Sequence, residues 1–239
     1  MRVSEKALIL QSIKHGDKKY ILKLFSQQHG MLTAAVNVSQ SKTAKIRSSS
    51  VMPLNFIEAE LIFKENKEIH LLTELSVYKT QSNIHQHMSK LSLAQFMHEV
   101  MIKTLKDQHG HSDLYQFIED CFDFLNGANE GYSNLHLHFL LELSKHLGFE
   151  PQNNFSVSNL FFDVREGRFG ETAMVWPFGL DKEESAVFSE VLKCNLLAAR
   201  FSREEKHLVL DVFLNYFAFH IPGFGVLKSL EVLKEVFND

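Results

Sequence analysis

Six basic side chains in the first 50 residues stand on two short segments that contain almost no acid. They are Lys14, Lys18, Lys19, Lys42, Lys45 and Arg47. The first three flank a His-Gly-Asp turn, and the others lie in a serine-rich stretch, residues 37–50, without an acidic residue. Cations on hydroxyl-rich loops can follow a phosphate backbone, and each phosphate contact releases condensed counterions. The sequence therefore predicts a DNA-binding surface, although a solvated lysine-rich surface accounts for the charge equally well.

The 13 histidines raise the alternative of a metal site. Three pairs are two positions apart: His85 and His87, His109 and His111, and His136 and His138. On a helix this spacing points the two rings about 200° apart, so that they cannot share a metal ion. There is no Cys-x-x-Cys motif and no matched carboxylate nearby. We therefore expect no metal site.

Catalytic motifs are also missing from the sequence. It contains no Gly-x-Gly-x-x-Gly, no Gly-x-Ser-x-Gly and no His-Glu-x-x-His. Paired carboxylates occur at 183–184 and 204–205, where they open predicted helices and complement the helix dipole. We therefore expect a protein that is not an enzyme.

Five predicted strands position the two basic segments. Hydrophobic residues alternate with a period of two in each, as in half-buried strands. In the fifth strand the residues expected to share one face are Ile69, Leu71, Thr73, Leu75 and Val77. The strands lie near residues 7–13, 20–25, 32–38, 57–63 and 69–77. Their number, with a long connection between the third and fourth, fits the partly open barrel called the OB-fold.

After Lys79 the hydrophobic period changes to 3.6, which predicts helices. Two of them begin with capping boxes, at 181–184 and 202–205. The exception is an aromatic-rich segment at about 151–178, which we interpret as an irregular or hairpin insertion. The predicted fold is therefore α+β and multidomain, with an OB-fold over residues 1–80 that binds DNA and a helical domain over residues 81–239.

Charge and composition agree with this division. The first 80 residues contain 12 Lys+Arg and 7 Asp+Glu, whereas the remaining 159 contain 13 and 22. A hydrophobic content of 45% excludes wholesale disorder. The sequence has two cysteines, Cys121 and Cys194, no apolar run of secretory length and no stretch that could span a membrane. We expect a soluble, cytoplasmic protein.

The order of these features resembles the RecO family of bacterial recombination mediator proteins. From Ala7 to Gly30 the chain has a strand, a Gly-acid turn, a second strand and a His-Gly turn, as that family does. The basic stretch then runs into a strand led by Pro53. Further similar motifs are Leu147-Gly-Phe-Glu-Pro151, His220-Ile-Pro-Gly and Lys228-Ser-Leu-Glu-Val-Leu233. The resemblance covers nearly the whole chain.

The resemblance implies a protein of DNA repair and recombination that binds single- and double-stranded DNA and anneals complementary strands. It also implies that the protein, with RecR, helps load RecA onto DNA coated by single-stranded-DNA-binding protein. In the family, the acidic, apolar C-terminal tail of that coating protein docks on the helical body. The implied location is the bacterial cytoplasm, at the nucleoid when active, with no membrane partner.

The sequence departs from the family at one point. Many members hold a four-cysteine zinc site just after the Leu-Gly-x-x-Pro motif, but residues 151–170 contain no cysteine and no histidine. We therefore expect no zinc and no other cofactor. The aromatic side chains expected to pack there instead are Phe155, Phe161, Phe162 and Phe169. Burial stabilises each by about 1.5–3 kcal/mol.

Two other interpretations remain open. The OB-fold could serve as a protein-interaction adaptor that binds a peptide, with lysines that only keep it soluble. An enzyme built on an unrecognised histidine cluster is the third, and the histidine spacings argue against it. Affinity for DNA phosphates falls steeply as the salt concentration rises, and this salt dependence distinguishes the DNA-binding interpretation from the adaptor.

Overall fold

The computed structural model describes residues 1–39, 46–63, 67–106 and 111–237. Its first five strands form a closed barrel in the order β1-β2-β3-β5-β4. They are β1 Arg2–His15, β2 Lys19–Ser26, β3 Gly30–Asn37, β4 Phe56–Ile62 and β5 Ile69–Lys79. β3 and β5 pair in parallel, and the other pairs are antiparallel. This order is that of an OB-like barrel, so the predicted fold class is confirmed.

Alternation along the strands produces the barrel core, as the sequence predicts. On β2 the side chains of Leu22 and Leu24 are fully buried. Lys23, which lies between them, and Lys19, at the start of the strand, are exposed. β3 repeats the pattern, with Ala34 buried inside the barrel. Successive side chains of a strand point to opposite faces, so the cations of β2 necessarily lie on the outer surface.

For the first half of β5, the predicted set of residues that face the barrel core is wrong. Glu60 pairs with Glu74 but Leu61 pairs with Leu72, which leaves one extra residue in β5. This β-bulge reverses the alternation. Leu72 is therefore buried in the core, and Ile69 is 46% exposed on the outside.

The remaining chain is mainly helical within the described residues. The helices are α1 Ser82–Gln86, α2 Met88–Thr104, α3 Ser112–Gly127, α4 Leu135–His146, α5 Lys182–Val191, α6 Arg203–His220 and α7 Ser229–Val236. Both predicted capping boxes are present, at the starts of α5 and α6. In this part of the chain no helix is both long and apolar enough to cross a bilayer.

The chain divides into two compact units. The first comprises residues 1–87 and 98–126, and the second comprises residues 88–97 and 127–239. The barrel unit thus includes α3 and the second half of α2. The predicted domain boundary at residue 80 stays a prediction.

A buried polar network holds α3 on the barrel within the first unit. The Tyr78 hydroxyl donates to the Glu119 carboxylate and lies 2.9 Å from the Tyr115 hydroxyl. Lys79 Nζ lies 3.2 Å from a Glu119 oxygen. Burial raises the pKa of both Tyr78 and Tyr115, so both phenols stay protonated and act as donors.

The predicted hairpin insertion lies in the second unit, with β6 Phe161–Asp163 and β7 Arg168–Gly170. The rings of Phe162 and Phe169 are buried with their centroids 5.0 Å apart, and Phe155 packs on Phe169 at 5.3 Å. The Asn154 side chain donates to the Phe169 carbonyl at 2.9 Å and accepts from its N–H at 2.8 Å. Phe161 is half-buried beside this aromatic cluster.

Replacing Gly167 by alanine is expected to destabilise the second unit. Gly167 has a φ of 67°, and a Cβ there would lie 2.4 Å from the Tyr216 hydroxyl, which donates to the Phe149 carbonyl. We expect Gly167→Ala to lower the free energy of unfolding by about 2 kcal/mol, measured by urea denaturation followed by circular dichroism.

Gly170→Ala is the matched control in the same hairpin, because a Cβ at Gly170 meets no atom within 4 Å. Equal stability of the two variants would contradict the proposed steric role of Gly167.

Candidate nucleic-acid interface

Three of the predicted DNA-binding lysines lie together at the tip of the β1–β2 hairpin. β1 ends at His15 and β2 begins at Lys19, which pair with each other across the turn. Lys14, Lys18 and Lys19 are all exposed. The predicted turn thus places three cations within a few residues at one end of the barrel.

The second basic segment begins and ends beside this tip. The Val38 N–H donates to the Lys18 carbonyl at 2.7 Å, and the Ser39 N–H donates to the Ile46 carbonyl at 3.2 Å. The chain therefore leaves and re-enters the barrel next to the hairpin, and the exposed Arg47 follows directly. Lys42 and Lys45 lie outside the described residues.

The electrostatics of the hairpin tip favour an anionic ligand. Among the described residues no acidic side chain forms an ion pair with Lys14, Lys18 or Lys19. The acidic residue of the turn itself is Asp17. Cations without protein partners keep their charge available for phosphate oxygens.

The aromatic rings of the barrel are not arranged for base stacking. Phe25 and Phe56 are fully buried, and Tyr20 and Phe63 pack against the barrel core. Tyr78 belongs to the polar network with α3. The arrangement can therefore bind phosphates, and these five rings supply no exposed stacking platform.

The second unit contains another basic region, which sequence reasoning missed. A cavity of about 140 Å³ lies between α6 and α7. Its basic lining residues are Arg203, Lys206, His207 and Lys234, and its apolar ones are Leu210, Leu233 and Phe237. Separate stretches of sequence supply these residues, and no spacing signals that they converge. The cavity can bind a ligand that is acidic and apolar at once.

His136 lies on the wall of this cavity and is 5% exposed. Its Nδ1 atom is buried and has no hydrogen-bond partner among the described residues. Burial above all, together with the nearby charges of Lys206 and His207, lowers the pKa of His136 to about 3. The imidazole is therefore neutral at physiological pH.

Two family models match the chain. The family model described as Recombination protein O N terminal matches residues 1–81, and that described as Recombination protein O C terminal matches residues 85–231. The chain belongs to the RecO family. The resemblance deduced from the sequence is confirmed.

Curated relatives match over the full length. The DNA repair protein RecO of Porphyromonas gingivalis is 29% identical over 246 residues and that of Flavobacterium psychrophilum 26% over 242 residues, with all of both chains covered. The DNA repair protein RecO of Phocaeicola vulgatus is 25% identical over 234 residues, 97% of each chain.

The zinc site of many RecO members does not fit the residues of this insertion. Asp163 Oδ1 accepts the N–H groups of Arg165 and Glu166, at 2.9 and 3.1 Å. The Glu166 carboxylate lies 3.8 Å from the Arg168 guanidinium. Within the described ranges, no three His, Cys, Asp or Glu side chains converge to hold a metal ion. The expectation that no zinc binds stays a prediction.

Acidification is expected to destabilise the fold through His136. Its pKa is about 3 in the folded chain and about 6.5 when unfolded, so the unfolded state binds more protons between these values. The stabilisation is present above about pH 6.5 and is lost as the pH falls, by up to about 1.4 kcal/mol per pH unit. His136→Gln should flatten this slope, measured by urea denaturation between about pH 7 and pH 5.

His87→Gln is the control, since His87 is exposed. A wild-type slope in the His136→Gln variant would show that burial does not hold this imidazole neutral.

Proposed function

We propose that this chain is a mediator of DNA repair and homologous recombination that binds single- and double-stranded DNA and anneals complementary strands. With RecR it helps load RecA onto DNA coated by single-stranded-DNA-binding protein. Membership of the RecO family supports the role in repair and recombination. The cluster of exposed lysines at the hairpin tip, beside the second basic segment, is the observation that carries DNA binding.

Annealing is a physical rather than a covalent reaction. Two phosphate backbones repel each other until cations neutralise them, and base edges must stay free to pair. Lysines on a hairpin tip can contact phosphates of either strand without reading sequence. No bond is made or broken, so the proposal requires no catalytic residue.

The cavity between α6 and α7 is our candidate for the coating protein's C-terminal tail. Its cations suit the acidic part of such a tail, and its apolar residues suit the hydrophobic end. The ion pair between Lys234 Nζ and Asp211 Oδ1, 3.0 Å long, ties α7 to α6 and so keeps the cavity in shape. RecR is proposed as a partner on family membership alone.

The alternative is an OB-fold adaptor that binds proteins and has little affinity for DNA. The exposed cations of the barrel are compatible with both functions, which differ in how strongly salt weakens binding. An adaptor would neither bind oligonucleotides at low salt nor accelerate annealing.

Reversing the charge of the hairpin tip is expected to weaken DNA binding. In the variant Lys18→Glu/Lys19→Glu, affinity for a labelled single strand should fall by about tenfold or more at low salt. The slope of log K against log salt should become shallower by about 1.4, because two phosphate contacts are lost. Fluorescence anisotropy over a salt series measures both, and complementary-strand annealing should slow in parallel.

Lys182→Glu/Lys193→Glu is the matched control with the same change in net charge, because Lys182 is exposed at the start of α5 and Lys193 is exposed just beyond its end. If the wild type does not bind, the adaptor becomes the better interpretation. If wild type and both variants bind equally, the hairpin tip is not the surface that binds DNA.

Reversing the charge at Arg203 is expected to weaken binding of an acidic tail. Arg203 is exposed at the start of α6, where a glutamate is compatible with the helix dipole, so Arg203→Glu should fold normally. The measurement is anisotropy of a short labelled peptide that is acidic at its start and apolar at its free carboxyl end. We expect a loss of about tenfold or more, with DNA binding unchanged.

Lys193→Glu again serves as control, because Lys193 does not line the cavity. Undiminished peptide binding by Arg203→Glu would assign the tail to another surface.

A further inference from the structure

The cavity between α6 and α7 is smaller than the ligand proposed for it. Its volume is about 140 Å³. Pockets that enclose a drug-sized ligand usually measure about 300–1,000 Å³, and a peptide segment of several residues is at least as large as such a ligand. One wall of the cavity must therefore move before an acidic, apolar segment can enter.

Two of the three elements around the cavity are firmly held. α4 supplies His136 to the wall. Just before α4, the Asn134 side chain donates to the carbonyls of Leu196 and Ala199, each at 2.9 Å. α6 begins with a capping box and buries six of its side chains. The part of the wall formed by α4 and α6 is therefore fixed.

The third element, α7, is held weakly. Of its eight described residues, only Leu233 is buried. The ion pair between Lys234 and Asp211 joins two partly exposed side chains, and water and salt screen such a pair. A helix of eight residues depends on packing for its stability. Because little of α7 is packed, it is the wall that moves most easily.

The segment before α7 supplies a fixed pivot. Phe224 and Leu227 are both 2% exposed, and the Phe224 ring packs on Phe217 of α6 with a centroid distance of 5.5 Å. The exposed Lys228 follows directly. α7 can therefore rotate away from α6 about residues 228–229 while the chain up to Leu227 stays in place.

The end of α7 has the same chemistry as the proposed ligand. Residues 231–237 contain two acidic and four apolar side chains, with one lysine. Leu233 and Phe237 line the cavity, and the centroids of the Phe237 and His136 rings are 6.2 Å apart. An aromatic ring of the chain itself thus lies where the apolar end of a peptide would bind.

We propose that α7 is a gate: its C-terminal end occupies the place of the apolar part of an acidic, apolar peptide and moves away from α6 when that peptide binds. The inference rests on the proposed function, in which the cavity receives such a peptide, and adds how access is controlled. Because the closed state excludes the peptide, its apparent dissociation constant is the intrinsic one divided by the open fraction. Loosening α7 should therefore strengthen binding, whereas damage to a fixed wall would weaken it.

Hydrogen exchange measures the movement of α7 in the unaltered chain. The probe is the short peptide that is acidic at its start and apolar at its free carboxyl end. Amides of residues 229–237 should exchange faster in the complex than in the free protein, because a displaced α7 loses its packing. Amides of α5 should exchange equally in both states. A fixed wall would instead be covered by the peptide, and its amides would exchange more slowly.

Phe237→Ala removes the ring that the peptide has to displace. Affinity for the labelled peptide, measured by anisotropy, should rise by about 3- to 10-fold, since an open state populated at about 10% limits the gain to about tenfold. Phe219→Ala is the matched control, because Phe219 is exposed on α6 and does not line the cavity. It should bind the peptide as the wild type does.

The outcomes separate this inference from the proposed function. If neither the wild type nor Phe237→Ala binds the peptide, the tail has another site and the gate fails with that assignment. If the wild type binds and Arg203→Glu weakens binding, the assignment of the tail stands. In that case, slower exchange of residues 229–237 in the complex, together with weaker or unchanged binding by Phe237→Ala, would overturn the gate alone and make α7 a fixed wall of the site.

Discussion

The pairing of β1 with two neighbours is the constraint on which the rest of the barrel depends. Its first half pairs with β4 and its second half with β2, and the register shifts between Ile9 and Gln11. At this shift the Leu10 carbonyl accepts a hydrogen bond from His98 Nε2 at 2.7 Å, while the backbone of Ile9 bonds to residues 54 and 55. The bulge lets one long strand bend enough to close the barrel. The pairing of β2 with β3, which places Lys19 opposite Asn37, brings the β1–β2 hairpin beside the end of β3, where the second basic segment begins.

Closure also separates charge on the outer surface. Each strand alternates between core and solvent, so the sign of the outward residues on neighbouring strands determines the potential of a whole face. The side formed by β1, β2 and β3 carries lysines, and the side formed by β4 and the second half of β5 carries Glu58, Glu60 and Glu74. One small barrel therefore has one outer side that attracts phosphates and another that repels them.

In the second unit, aromatic rings pack the hairpin insertion against the helices. Phe162 contacts Phe188 of α5 at a centroid distance of 4.6 Å, which ties the hairpin insertion to the helices, and Asn154 brackets the backbone of Phe169. These contacts hold a segment that in many RecO members is organised by zinc. Elsewhere in the unit, α6 and α7 converge on a cavity where cations surround a neutral, buried His136. An acidic ligand there would replace repulsion among like charges with attraction.

The sequence by itself determined what depends on local order: the strands and their period of two, the capping boxes of α5 and α6, the lack of cysteine and histidine in residues 151–170, and the exposure of Lys14, Lys18 and Lys19 on a Gly-Asp turn. Tertiary structure decided the rest. The bulge that buries Leu72 and exposes Ile69 depends on pairing with β4, which no period along β5 reveals. The approach of the second basic segment to the hairpin depends on bonds between distant residues. The convergence of cations from α6 and α7 likewise depends on packing between separate elements, because spacing within one helix carries no information about which face of another helix it meets.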